Sequence, residues 1–259
     1  SQVHGLQKSK LHKTLNPTYN VSFVMHFNLR PKNTRGSFAN DWLHAKHSFS
    51  FGDYFDPAHN GFRSLIVMNN DIIAPLGGFS THPHQNAEIF TYILSGSLKH
   101  EDSMGNKSTI KTGDFQYMSA GKGVSHSELN PSSTNSTELY QIWLKPNTLG
   151  GEPIYADYQL TAEDNPIEPR LLFSGSGRNE STTIRSNAEI YYGSSKIHSQ
   201  SCLSPIMDHP YVWIQILTGT VKIAGHRLTT GDGLSITNHD RILSLNCSAN
   251  SSFLAFMLT

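Results

Sequence analysis

The sequence is written in short alternating runs. Residues 88–94, 97–103, 107–111, 115–119 and 124–129 read as strands, separated by Ser95-Gly96, Met104-Gly105-Asn106, Gly113-Asp114 and the glycines at 121 and 123. The stretch 138–144 (ELYQIWL) reads as one more strand, apolar enough to be buried. Helical periodicity is scarce. A period of two broken this often by Gly, Asn and Asp turns predicts an all-β sandwich or barrel.

The rhythm occurs twice. Runs at 211–217, 220–224, 227–230 and 234–237 are separated by Thr218-Gly219, Gly225 and Gly231-Asp232-Gly233. This repeats the order of the first half: strand, Ser/Thr-Gly turn, strand, short turn, strand, Gly-Asp, strand. Such self-similarity predicts an internally duplicated β-barrel. Between the copies, residues 145–153 hold Pro146, Gly150, Gly151 and Pro153 and read as a linker. Residues 1–24 carry lysines but no acidic residue and no apolar stretch, and are expected to be an extension or processing remnant. The expected organisation is therefore this extension, a first barrel over 25–146 and a second over 147–259.

Composition narrows the function classes. Lysine and arginine number 20, as do aspartate and glutamate, so the formal net charge is zero and direct nucleic-acid binding is not expected. No run of 18 apolar residues predicts a membrane span, and the absence of a secretory signal sets the expectation of a cytoplasmic protein. Cys202 and Cys247 belong to no metal or redox motif and are expected to be small buried side chains.

Two short motifs carry the chemistry. His82-Pro83-His84 and His126-Ser127-Glu128 each space two ligand-type residues at i, i+2, which on a strand puts both on one face. Together they could present three imidazoles and a carboxylate to one point, a donor set that suits a divalent transition metal with positions left open. With 14 histidines in 259 residues, either pair alone lies within chance. The strands and turns between them turn the pairs into two lips of one barrel. The alternative is a buried hydrogen-bonded cluster without metal, but burying four polar groups costs several kcal/mol unless partners satisfy them, and a metal does so directly. Pro83 predicts a sheet edge or a bulge. The second copy has neither pair, and His198, His209, His226 and His239 are isolated, so they are expected to be structural or at the surface.

The first half resembles the cupin superfamily: Gly77, His82, His84, Glu88 and Gly96 follow its first motif, and Gly113, Gly121, His126 and Asn130 its second. It departs in placing Gly77 one residue too close to His82 and in having Ser119 where proline is usual. A more specific resemblance is to the pirin-like proteins, carried by HSFSFGDYFDP (47–57), HPH (82–84), HEDSMGN (100–106) and MSAGKGVSHSE (118–128). This implies a bicupin, all-β, of two tandem barrels with the metal in the N-terminal one. It implies His82, His84, His126 and Glu128 as metal ligands, where the generic cupin pattern would use Glu88. Glu88 then becomes a candidate for orienting a ligand imidazole. The resemblance favours Fe(II), although the donor set also suits Mn, Ni, Co, Cu or Zn. It further implies a quercetin 2,3-dioxygenase-like activity on flavonol-type aromatic substrates and O2, with Glu128 as general base. A second implied role is a non-enzymatic, redox-sensing iron protein that docks a protein partner. An open pocket above the metal separates the two. His100 and Glu101 are expected to be solvated or structural. Of Trp42, Phe49, Phe51, Tyr54 and Phe55, most should be core or cap and one or two could line a pocket, as could Phe79 and Met118.

Overall fold

In a computed structural model, residues 24–160 and 168–259 are described; residues 1–23 of the expected extension lie outside them. Among the described residues there are 22 strands, numbered in chain order, and two short 3-10 turns. No described helix is long and apolar enough to cross a membrane.

Two barrels of one plan emerge. In the first, a seven-stranded sheet runs β12 (Ile154–Gln159), β9 (Asp114–Ser119), β6 (Glu88–Ser95), β11 (Thr137–Leu144), β4 (Leu65–Ile73), β3 (Leu43–His47), β2 (Gly36–Ala39). Its four-stranded partner runs β5 (Gly78–His84), β10 (Val124–Leu129), β7 (Ser97–Asp102), β8 (Lys107–Lys111). In the second barrel the long sheet is β1 (His26–Arg30), β20 (Gly233–Thr237), β17 (Tyr211–Thr218), β22 (Ser251–Leu258), β15 (Ala188–Ser195), β13 (Arg170–Ser174), β14 (Thr182–Thr183). The short one is β16 (Ser199–Leu203), β21 (Leu243–Cys247), β18 (Thr220–Ile223), β19 (His226–Thr229). The turns that announce the duplication do the same work in both copies. Gly96 and Gly219 sit at φ of 86° and 74°, a region open to glycine at little cost.

The barrels exchange edge strands. The first strand in the chain, β1, pairs with β20 of the second barrel, and β12, beyond the linker, pairs back onto β9 of the first. The halves 25–146 and 147–259 are thus each completed by a strand from the other. Alternation along the strands then decides what packs where. On β6, Phe90 and Tyr92 point between the barrels, into an aromatic core shared with Phe173, Trp213 and Phe256, whereas Ile89 and Ile93 point into the first barrel. The second barrel's interior is filled by Val212, Ile214, Ile216, Val221, Leu234, Leu245 and their neighbours, Cys247 among them. Both cysteines are free, and Cys202 is only partly buried.

Candidate metal centre

The two motifs meet on the short sheet of the first barrel. Strand β10 lies between β5 and β7, and its burial alternates so that Val124, His126 and Glu128 face inward. His82 lies opposite His126, and His84 opposite Val124. Strand β5 is the sheet's edge, where the missing N–H of Pro83 costs no ladder bond, and its register shifts between the positions facing His126 and Glu128. Gly78 is required at the other end, because a Cβ there would run into the Glu128 carbonyl.

The three imidazoles converge. Their ring centroids lie 4.5–4.8 Å apart, and one nitrogen from each falls within 4.8 Å of the others. His82 donates from Nδ1 to the Ser80 carbonyl at 2.7 Å, which leaves Nε2 with its lone pair, and that Nε2 is 3.1 Å from Nε2 of His126. Two nitrogens bound at right angles to one ion by bonds of about 2.1 Å would be about 3.0 Å apart. Burial, then the neighbouring imidazoles, push His84 down to about 4 and His126 to about 3. His84 and His126 are therefore neutral at pH 7, the form that binds metal. Spacing, tautomer and charge state all fit a divalent transition-metal ion held by His82, His84 and His126.

Glu128 approaches His126 from its other nitrogen. Its Oε1 lies 4.0 Å from His126 Nδ1, and it groups with His126 and His100 rather than with His82 and His84. Two amides hold the carboxylate, Gln116 Nε2 donating to Oε1 at 3.1 Å and Gln141 Nε2 to Oε2 at 3.0 Å. Of the two readings for His100, solvated or structural, the fold takes the structural one. His100 is fully buried on β7 opposite Glu128, 3.0 Å from Asp102 Oδ2, stacked on Tyr155, with Nδ1 3.4 Å from His126 Nδ1. The turn begins only after Asp102, so the inward alternation of β7 reaches His100, while Glu101 points out to Lys99 and Lys107.

Glu88 does not approach the imidazoles. It shares the β6 face of Phe90 and Tyr92, and accepts from Tyr117 Oη and Ser119 Oγ at 2.5 Å each and from the Arg185 N–H at 2.9 Å, between the barrels. The role of orienting a ligand imidazole, one expectation for Glu88, is thus ruled out by strand parity.

A cavity of about 580 Å³ opens over the triad. Phe38, Phe51, Tyr54, Phe79 and Trp143 line it, as does Glu128. Of the aromatic segment, Phe51 and Tyr54 reach the cavity, Phe49 joins the core between the barrels and Phe55 is exposed. Met118 is core. Residues the sequence reading did not single out form a polar rung across five strands. His47, Asn69, Gln141, Thr91 and Gln116 stand opposite one another in succession on β3, β4, β11, β6 and β9, all buried. Thr91, Gln116 and Gln141 each interrupt an apolar run, but His47 and Asn69 stand among other polar residues, and nothing local joins the five.

The second barrel serves as an internal reference. Counting from the Gly turns, Thr91, Gln116 and Gln141 correspond to Ile214, Leu234 and Ala255, which pair in the same way. The His126–His82 pair becomes Leu243–Leu203, and Glu128–His100 becomes Leu245–Ile223. The plan tolerates an apolar interior at each of these places, and the first barrel departs from it at all of them.

Comparison with known proteins gives the same outline. Residues 28–144 match the family model described as Pirin, and residues 171–258 that described as Quercetinase C-terminal cupin domain. The chain is 40% identical over 230 residues to Quercetin 2,3-dioxygenase of Escherichia coli K12, covering 89% of this chain and 97% of that one. It is 35% identical over 208 residues to a Pirin-like protein of Caulobacter vibrioides, covering 80% and 89%. The crystal structure of the bacterial pirin YhhW from Escherichia coli in complex with nickel(II) superposes with a TM-score of 0.84 at 39% identity, over 90% of this chain and 99% of that one.

Proposed function

The chain belongs to the pirin family of cupin barrels, and on that premise we propose that it is a metal-dependent dioxygenase acting on flavonol-like aromatic substrates with O2. The observation that carries this reading is three convergent imidazoles at the floor of a cavity with aromatic walls. A redox-sensing docking protein would need no such cavity. In the proposal His82, His84 and His126 hold a divalent metal, and Glu128, which lies on the Nδ1 side of His126, becomes the fourth ligand by swinging its carboxylate toward the triad; iron is our preferred ion, and nickel is the one bound in the related YhhW. The bound metal would supply Lewis acidity toward the substrate's oxygens and a path for electrons between substrate and O2.

The chain's own residues do the rest. His82 is held in one tautomer by the Ser80 carbonyl, so its lone pair always faces the site. Phe51, Phe79 and Trp143 offer faces and edges to a flat ring and keep water from it. Glu128 takes the proton of the substrate hydroxyl on Oε1, the oxygen nearer His126. The Gln116 and Gln141 amides fix that carboxylate's position and, by donating to its charged form, keep it a ready acceptor. Glu128→Gln separates the roles. Metal content and flavonol-dependent oxygen uptake are measured on the same preparation. The base role predicts that turnover falls by about two orders of magnitude or more in protein that still holds metal; retained metal with unchanged turnover sinks it.

A further inference from the structure

One wall of the cavity is polar without being satisfied. His47 Nδ1, Asn69 Oδ1 and Asp71 Oδ1 are buried and lack hydrogen bonds of normal geometry; the His47 and Asn69 side chains interact with each other, and Asp71 Oδ1 has no partner. Their residues are 5%, 2% and 4% exposed, and all three line the cavity. Buried polar atoms are nearly always well paired, so under-satisfied groups gathered on one wall call for an explanation. Their placement is set by the sheet: His47 lies opposite Asn69, and Asp71 is two residues further along β4 on the same face. The second barrel has Tyr191 and Gly193 at the positions of Asn69 and Asp71, so the fold itself does not require them.

The wall is reached from the triad along a ladder of rings. His84 lies edge-on to Trp143 at 4.9 Å, Trp143 to Phe51 at 5.8 Å, and Phe51 is 5.4 Å from His47. A flat ligand seated on this ladder would have one end at the imidazoles and the other at the open acceptors. The open atoms of Asn69 and of ionised Asp71 are oxygens, which accept, so above pH 7 they favour a hydroxyl over a carbonyl or ether oxygen.

We propose that His47, Asn69 and Asp71 form a second recognition site that receives hydroxyl groups on the end of the substrate remote from the metal. The preferred substrates are then aromatics hydroxylated at both ends. The proposal rests on the flavonol reading above, but concerns binding rather than turnover.

The test is equilibrium binding to nickel-loaded protein under nitrogen, followed by quenching of tryptophan fluorescence. The probes are galangin, kaempferol and quercetin, flavonols alike except for none, one and two hydroxyls on the pendant ring. Affinity should rise about tenfold for a hydroxyl that gains a buried acceptor. Asn69→Leu and Asp71→Leu should flatten the series, while Asp71→Asn, which keeps an acceptor in place, should preserve it. Far-UV circular dichroism establishes that each variant is folded. Equal affinity across the series, a preference that survives both leucine variants, or no binding by any of the three overturns the proposal. Oxygen uptake, measured separately in air, tells the two readings apart. A graded series without uptake supports the site and removes the dioxygenase reading, and uptake with a flat series does the reverse.

Discussion

The neutral state of His126 has a measurable consequence for stability. Its pKa falls from 6.5 to about 3 on folding, first through burial and then through the positive charge that His82 and His100 would carry beside it. Between those values the unfolded chain binds a proton that the folded metal-free chain does not. Stability is therefore complete above pH 6.5 and is lost as pH falls. From pH 7 to pH 5 the linkage integral for this one group is about 2 kcal/mol. His126→Leu removes it, with a side chain of similar size that already stands at the corresponding register position as Leu243. His84, lowered to about 4, erodes stability over the same window, and Asp71, raised to about 7 by burial and then by Glu128, opposes it. Both remain in the variant and cancel to first order in the difference. The assay is urea unfolding of metal-free wild type and His126→Leu at pH 7 and pH 5. Wild type should lose about 2 kcal/mol more than the variant. At a thousandfold excess over its Kd, nickel should add about 4 kcal/mol to wild type at pH 7, through mass action, and far less to the variant. Equal losses on acidification would refute the argument, because they would mean that His126 titrates in the fold as it does in water.

Other residues give sharper contrasts. Glu88→Ala should cost about 3 kcal/mol in urea unfolding, since Tyr117, Ser119 and the Arg185 N–H lose their acceptor, while nickel uptake stays unchanged. His100→Ile, which installs the residue found at Ile223, should weaken nickel binding about tenfold in a competition titration by removing the neighbour of His126 Nδ1. Gln141→Ala alone should cost about 1–3 kcal/mol, because it strips a donor from Glu128, and that cost should largely vanish in the Glu128→Leu background.

The fold was legible because its signals are local. Turn glycines such as Gly96 and Gly219 and the alternation between them fix strand ends to within a residue or so at β6, β7 and β17. The convergence of His82, His84 and His126 was legible for the same reason: i, i+2 on a strand is a statement about one face. Three matters needed the third dimension. Which strand pairs with β1 is decided 200 residues away, at Asp232 accepting from the Lys32 N–H and at the β20 ladder beside it. The burial of His100 depends on which face of β7 turns inward: alternation puts Leu98 and His100 on one face, and the pairing of β7 with β10 sets that face opposite Glu128. The polar rung is invisible in sequence because its members, one per strand, come from five separate stretches and become neighbours only through register.

The rung and the triad also explain why one barrel is hollow and its twin is full. Imidazoles, amides and a carboxylate facing inward contribute little apolar burial, and their open cavity contributes none. Beside two interior apolar clusters, around Ile73, Ile93 and Leu139 and around Ile89, Met118 and Val124, the first barrel draws stabilisation from the outer faces of β6, β9 and β11. Phe90, Phe115 and Tyr117 are all fully buried there against Phe173. An aromatic side chain buries about 150–250 Å², or roughly 4–6 kcal/mol apiece at the usual coefficient, as an upper bound. Two or three such rings outweigh the few kcal/mol that keeping His84 and His126 neutral and Glu128 hydrogen-bonded costs. Those rings need an apolar partner, and the second barrel supplies it in Trp213, Leu254 and Phe256. The apolar copy thus stabilises from outside what the polar copy gives up inside. The exchanged strands β1 and β12 tie each barrel to the other half of the chain, so the support cannot drift from the barrel it supports.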